Sequence, residues 1–289
     1  MGYVRLDAMA YNISQILEDK GISDYTATQG YTIGKDNMSV AISLMKSDDS
    51  PNEEDRKAVI LGLLGDKQYV TWDLNLIHAN DCTYYDGKYY IAPAGDKSNK
   101  VVPAYKWDEN LSKWVEDGSY TYTPLTNKDI PVEALARVSN IAHISGENFI
   151  LGEGLKISVC KLDIAKKQFQ EFSRFKLNTS GKNELSRPNF DRLSQGVYYK
   201  DKKLYKVFSY EHKPDLITMN DVAVFDLQGK TPSFNGTTLN ASYTCDDSSR
   251  DAFELEDIAA ASDGQMYVSA NVIQGGKQQD SIYRITLKK

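Results

Sequence analysis

The sequence predicts an all-β protein, a five-bladed β-propeller whose ring is closed by the N-terminal segment. Three observations predict it. A strand-turn-strand unit recurs five times, its copies are evenly spaced, and too little chain follows the last copy while a surplus precedes the first. A fixed internal period is the primary sign of such an architecture.

The units are residues 26–44 (TATQGYTIGKDNMSVAISL), 78–95 (HANDCTYYDGKYYIAPAG), 137–154 (RVSNIAHISGENFILGEG), 192–209 (RLSQGVYYKDKKLYKVFS) and 254–271 (ELEDIAAASDGQMYVSAN). Each opens on a polar pair, runs through small, apolar and aromatic residues, turns tightly and returns as a second strand. Asp86-Gly87 and Asp263-Gly264, set between β-rich runs, are strong hairpin signals. With Gln29, Asp81, Asn140, Gln195 and Asp257 as equivalent points, the spacings are 52, 59, 55 and 62 residues. A four-stranded blade needs about 40–50 residues, so these are blades with modest loop insertions. Only 18 residues follow the fifth unit, whereas residues 1–28 precede the first. The N-terminus is therefore expected to supply the outer strand of the last blade, which hides sheet edges. A β-sandwich also uses short strands and turns, but it does not predict five equivalent hairpins with polar starts. The expectation is one propeller domain over residues 1–289. Helix is expected to be scarce, its best candidate being Ser50-Pro51-Asn52-Glu53, where Ser caps, Pro takes the first helical position and Glu completes a capping box.

Composition narrows the function classes. Hydrophobic residues at 41% and charged residues at 26% suit a soluble globular chain with a real core. Forty acidic against 34 basic side chains, a net charge of −6, argue against a nucleic-acid partner. No run approaches the length of a transmembrane segment. Residues Met1 to Asp7 show neither a signal-peptide pattern nor a myristoylation signal. The expectation is an exported protein whose leader has been removed, with a cytoplasmic one as the alternative. Cys82, Cys160 and Cys245 are odd in number and lack CxxC spacing. Three buried thiols are expected, or one disulfide and a free thiol.

In a propeller, the polar starts of the first strands converge on one face with the loops around residues 45–57, 93–101, 209–221 and 271–280. A recessed polar centre ringed by loops is the usual form of a small-molecule site. Thr28, Asn80, Ser139, Ser194 and Glu256 make one level of that centre, and Gln29, Asp81, Asn140, Gln195 and Asp257 the next. Thr26, His78, Arg137, Arg192 and Glu254 stand above them at the mouth. Carboxylates and carboxamides are hard oxygen donors of the kind Ca²⁺ prefers, so Asn80, Asp81, Asn140, Glu256 and Asp257 are the candidate metal ligands. Arg137 and Arg192 suit a carboxylate or phosphate, or else close an ion-pair network with Glu254. Gln29 and Gln195 complete the ligand-binding set. His78 is the candidate general base, or a structural hydrogen-bonder. For the whole ring the alternative is a water-filled channel whose polar groups serve backbone ends. No serine nucleophile elbow, P-loop, Rossmann fingerprint or zinc signature occurs.

The hairpin Ser262-Asp263-Gly264-Gln265-Met266-Tyr267-Val268 resembles those of the NHL and SMP-30/gluconolactonase/paraoxonase-like propellers. For paraoxonase-like members the resemblance implies a central calcium site, formed by Glu-Asp and Asn-Asp pairs, that serves ester or lactone hydrolysis. Glu256-Asp257 and Asn80-Asp81 match those pairs, and Asn140 matches a further amide position. The chain departs in having five units rather than six and Gln29-Gly30 and Gln195-Gly196 at the other two starts. Those Gln-Gly hairpins and the Glu254-x-Glu256-Asp257 strand are also similar to the helveticin J type of secreted bacterial propeller, which implies a cell-surface or antibacterial role. The functional expectation is a ligand-binding or cell-surface interaction propeller that takes a small molecule or cell-surface glycan at the channel mouth. The alternative is a calcium-dependent hydrolase of esters or lactones, and whether the protein is an enzyme stays open.

Overall fold

The computed structural model describes residues 2–45, 56–95, 99–126, 130–180, 185, 187, 190–211 and 217–289. The chain starts as β1 (Gly2–Asn12) and a short helix α1 (Ile13–Asp19). Two antiparallel meanders follow: β2 (Tyr25–Ile33), β3 (Ser39–Met45), β4 (Lys57–Leu64) and β5 (Lys67–Asn75), then β6 (Asp81–Tyr85), β7 (Lys88–Ala92), β8 (Val101–Asp108) and β9 (Lys113–Thr123). Two more are β10 (Asn140–Ser145), β11 (Asn148–Glu153), β12 (Lys156–Asp163) and β13 (Gln168–Lys176), and β14 (Asp191–Lys200), β15 (Lys203–Glu211), β16 (Met219–Lys230) and β17 (Ser233–Thr244). The chain ends with β18 (Ala252–Ala260), β19 (Met266–Gln274), the two-residue β20 (Lys277–Gln278) and β21 (Ser281–Lys288). The hairpins follow turn chemistry: Asp86 and Gly87 have φ of 48° and 80°, the positive pair that a two-residue hairpin of right-handed twist requires.

The inner strands β2, β6, β10, β14 and β18 pack each on the next, and β18 packs back on β2. Sheets radiating from such a ring make a β-propeller. The β2–β5 meander is a sheet of its own. Outer strands β9 and β13 pair in parallel, Gln168 opposite Thr121, and so join two meanders. The last sheet runs β18-β19-β21-β1, with β1 antiparallel to β21 from Tyr3–Lys288 to Asn12–Ser281. The N-terminal segment is thus the outermost strand of the C-terminal sheet. Its first residues also touch β17, Gly2 opposite Tyr243.

Apolar clusters fill the spaces between neighbouring sheets. One stacks Tyr90, Phe149 and Phe169 with centroid separations of 5.1 to 6.0 Å. Another packs Ile13 and Leu17 of α1 against Tyr31, Leu61 and Ile282, wedging the helix between the first and last sheets. Each large apolar side chain so buried contributes about 1.5–3 kcal/mol. The short helix α1 has sequence signals of its own. Asn12 caps it by accepting from the Gln15 N–H at 2.9 Å, and Ile13, Ile16 and Leu17 give it an apolar face. Ser50 to Glu53, the expected helix, lies outside the described residues. Cys82, Cys160 and Cys245 are buried free thiols. No described helix is long and apolar enough to cross a membrane.

Candidate functional site

Backbone register decides which polar residues share a level. In β2 the pairing with β3 skips between Thr28 and Tyr31, and in β14 the pairing with β15 skips between Ser194 and Val197. These bulges absorb one residue each. They place Gly30 and Gly196, rather than Gln29 and Gln195, beside Asp81, Asn140 and Asp257. The two glycines are required there: a Cβ on Gly196 would collide with the Asp257 carboxylate, and one on Gly30 would lie 2.8 Å from Ala79 O. The Gln-Gly starts are therefore the partners of the acidic starts, Gly196 leaving room for the Asp257 carboxylate and Gly30 for the backbone of Ala79 and Asp81.

At this level the polar groups bind the ring to itself. Asp81 Oδ2 accepts from Ile141 N at 3.0 Å, Val197 N at 3.1 Å and Asn140 Nδ2 at 3.3 Å. Asp257 accepts from Tyr31 N at 2.8 Å and Ile258 N at 2.7 Å. Asn140 Nδ2 also donates to Gln195 O at 2.8 Å. Two carboxyl groups thereby reach backbone N–H groups on β2, β10, β14 and β18. Into the same space, from β15, comes Lys206, whose Nζ donates to Asn140 Oδ1 at 2.9 Å and Gln195 O at 2.6 Å. Asp81, Asn140, Lys206 and Asp257 are all fully buried. Burial, then the Asp81 charge, pushes the Asp257 carboxyl well up. Burial raises Asp81 too, against a side-chain hydrogen bond from Asp257 and the Lys206 charge, and burial lowers Lys206.

This level does not fit a calcium ion. Asp81 Oδ2 and both Asp257 oxygens are engaged by backbone N–H groups and an amide, and an ammonium already approaches Asn140 Oδ1. Asp81 Oδ1 alone of these oxygens lacks a partner among the described residues, far short of the roughly six to eight oxygens that Ca²⁺ takes. The five expected ligands are also divided by the register. Asn80 and Glu256 stand above, where Asn80 Nδ2 donates to Ser139 O at 2.9 Å and Glu256 Oε1 accepts from Asn271 and, at 3.3 Å, from Gln29 Nε2. Among the described residues no group of three or more His, Cys, Asp and Glu is arranged to hold a metal.

Above the plug opens a cleft of about 600 Å³. Gln29, His78, Asn80, Arg137, Arg192, Gln195, Glu254 and Glu256 all line it, so the expected ligand-binding residues and His78 share one space. Arg137 is anchored by Nη1 donating to Gly95 O at 2.7 Å, and the Arg192 guanidinium lies 4.9 Å above the Phe208 ring. Glu254 pairs with neither arginine; it accepts from Gln195 Nε2 at 2.7 Å. Burial pushes Glu254 up to about 7. Burial, and then the charges of Glu254 and Asp280, push Glu256 well above the usual range. Asp280 accepts from Thr28 N at 3.2 Å and Val272 N at 3.1 Å, and burial raises it to about 7. Ser139 Oγ and Glu256 Oε2, both buried at the cleft, have no hydrogen-bond partner among the described residues. On the far side of the plug a hollow of about 360 Å³, lined by His143, Tyr84 and Tyr198, forms the other end of the channel.

Lys206, Asn271 and Asp280 escape the sequence reading. Lys206 carries a usable signal: it alternates with Leu204 and Phe208 on the buried face of an apolar strand. Asn271, inside β19, and Asp280, just before β21, carry none, because they gain their partners only in three dimensions.

No family model matches the chain, and no curated protein matches it. Solved structures do resemble it. The PQQ-bound aldose sugar dehydrogenase of Streptomyces coelicolor has a TM-score of 0.46 at 8% identity, over 100% of this chain and 99% of that one. A point mutant of the Cellvibrio cellulosa α-L-arabinanase has a TM-score of 0.48 at 8% identity, over 91% and 92%. An exo-1,5-α-L-arabinanase from a bovine ruminal metagenomic library has a TM-score of 0.46 at 13% identity, over 91% and 94%. Likeness at this level assigns neither activity nor ligand.

Proposed function

We propose that the chain is one five-bladed propeller that binds a small, polyhydroxylated molecule or glycan in the mouth cleft. The blade count rests on the cycle of five inner strands and the completion of the last sheet by β1. The binding reading is carried by one observation: the cleft floor holds buried polar atoms without partners, beneath walls of arginine, amide and carboxyl groups. Buried polar groups are almost always hydrogen-bonded, and a ligand's hydroxyls would satisfy Ser139 Oγ and Glu256 Oε2. Below them the plug gives the cleft a closed floor. A calcium-dependent hydrolase would need a cation among groups that already bind one another and Lys206.

Calorimetric titration of sugars, sugar acids and short oligosaccharides tests the reading, in calcium and again in EDTA. Saturable binding, indifferent to chelator and lost in Glu256→Ala, is expected. Failure of every polar ligand to bind would refute it. Chelator-sensitive turnover of esters or lactones would replace it with the hydrolase.

A further inference from the structure

We infer that the ligand of the mouth cleft is an anionic sugar, its carboxylate or phosphate held by Arg137 and Arg192 and its hydroxyls by the carboxyl and amide groups of the neighbouring strands. The inference rests on the binding reading above and adds a charge and an orientation to it. The cleft is polarised by the order of the strands. Its cationic residues come from the consecutive inner strands β10 and β14, Arg137 three residues before Asn140 and Arg192 on β14 itself. Its carboxyl groups, Glu254 and Glu256, come from β18, with Gln29 of β2 beside them. A neutral ligand gives no use for the two cationic groups, whereas a ring with an anionic substituent sets that substituent on them and its hydroxyls on the carboxyl and amide groups.

Both guanidiniums are held in place yet keep donors available. Arg137 uses one nitrogen on Gly95 O, which fixes the side chain and leaves its remaining N–H groups. Arg192 lies over the Phe208 ring at 4.9 Å, a contact that holds the guanidinium, whose planar fork suits bidentate contact. Among the described residues neither makes an ion pair, although the chain carries an excess of acidic side chains. Other arginines show the contrast: Arg174 is neutralised by Glu171, and Arg187 by Asp221 and Asp246. The carboxyl wall does not oppose an anion, because burial favours its protonated form. A protonated carboxyl both donates and accepts, which suits a sugar hydroxyl.

The test compares matched ligands on the intact protein: galactose with galacturonate, glucose with glucuronate, and glucose with glucose 6-phosphate. The acid or phosphate is expected to bind at least about tenfold more tightly than its neutral parent, with an affinity that falls as salt rises. In Arg192→Gln and Arg137→Gln, each checked for an unchanged melting temperature, the charged and neutral dissociation constants should converge. Arg192→Lys should recover only part of the preference, since an ammonium lacks the bidentate fork. A carboxylate preferred over phosphate, or the reverse, identifies the anion and supports the inference. Equal binding of charged and neutral ligands, both lost in Glu256→Ala, would overturn the inference and leave the binding reading standing. No binding by any ligand of the set would overturn both.

Discussion

The plug and the cleft are built from adjoining residues of the same inner strands, yet their polar groups do opposite work. In the plug, Asp81, Asn140 and Asp257 are fully buried and directed at the backbone of neighbouring strands. One level up, Glu254, Arg137 and Arg192 line an open cleft and leave donors or acceptors available. A step of one residue along a strand separates Glu256 in the cleft wall from Asp257 in the plug. A bulge is the reason: β18 pairs Leu255 with Ala270 and Asp257 with Ser269, so Glu256 is an extra residue in the strand, and each such bulge resets which residue faces the centre. A polar ring is thus not evidence for an ion until the backbone amides within reach have been counted.

The largest effect should come from the plug. Asp257→Ala leaves the Tyr31 and Ile258 N–H groups without a partner and removes one of the two carboxyl groups that face the buried Lys206. Losing one member of a buried charged set costs about 3–5 kcal/mol, readable as a lower denaturation midpoint in urea. A loss below about 1 kcal/mol would break the contrast with the cleft.

Titration comes next. Asp280 and Glu254 have folded-state values of about 7, against about 4 in an unfolded chain. Between these values the folded protein keeps protons that the unfolded chain has released. Their stabilisation is therefore complete below pH about 4 and is lost as pH rises towards 7. Lys206, lowered by burial, acts in the opposite sense at higher pH, where stability is regained as the unfolded chain's lysine also loses its proton. Melting temperature should fall from mildly acid to neutral pH, and Asp280→Asn should flatten that slope by an amount on the order of 2 kcal/mol. A slope unchanged by the substitution would refute the assignment.

Gly196→Ala is smaller, about 1–3 kcal/mol of overpacking. Its cost should shrink in an Asp257→Gly background, since the colliding carboxylate is then gone; additive effects would count against the pairing of glycine and acid levels. Smallest of all is Glu254→Gln in the cleft, expected within about 0.5 kcal/mol of the parent at mildly acid pH, where burial keeps this carboxyl protonated and a neutral amide replaces a neutral acid. Calcium and EDTA should likewise give superimposable melting curves, where a true ion site would add roughly 3–4 kcal/mol near saturation.

The sequence by itself determined the repeat, the strands and the face of the molecule where polar residues gather. Those follow from local signals: a strand period of two, turn residues such as Asp86-Gly87, and short chain separations within each meander. Tertiary structure alone decided the level of each polar residue. The bulges at Gln29-Gly30 and Gln195-Gly196 move both glutamines up into the cleft, and that shift is fixed by the space the Asp257 and Asp81 groups occupy from other strands. It also brought in Lys206 from a second strand and Asp280 from a distant loop. Burial and partnership depend on which strands the ring sets side by side, and no window of local sequence contains that.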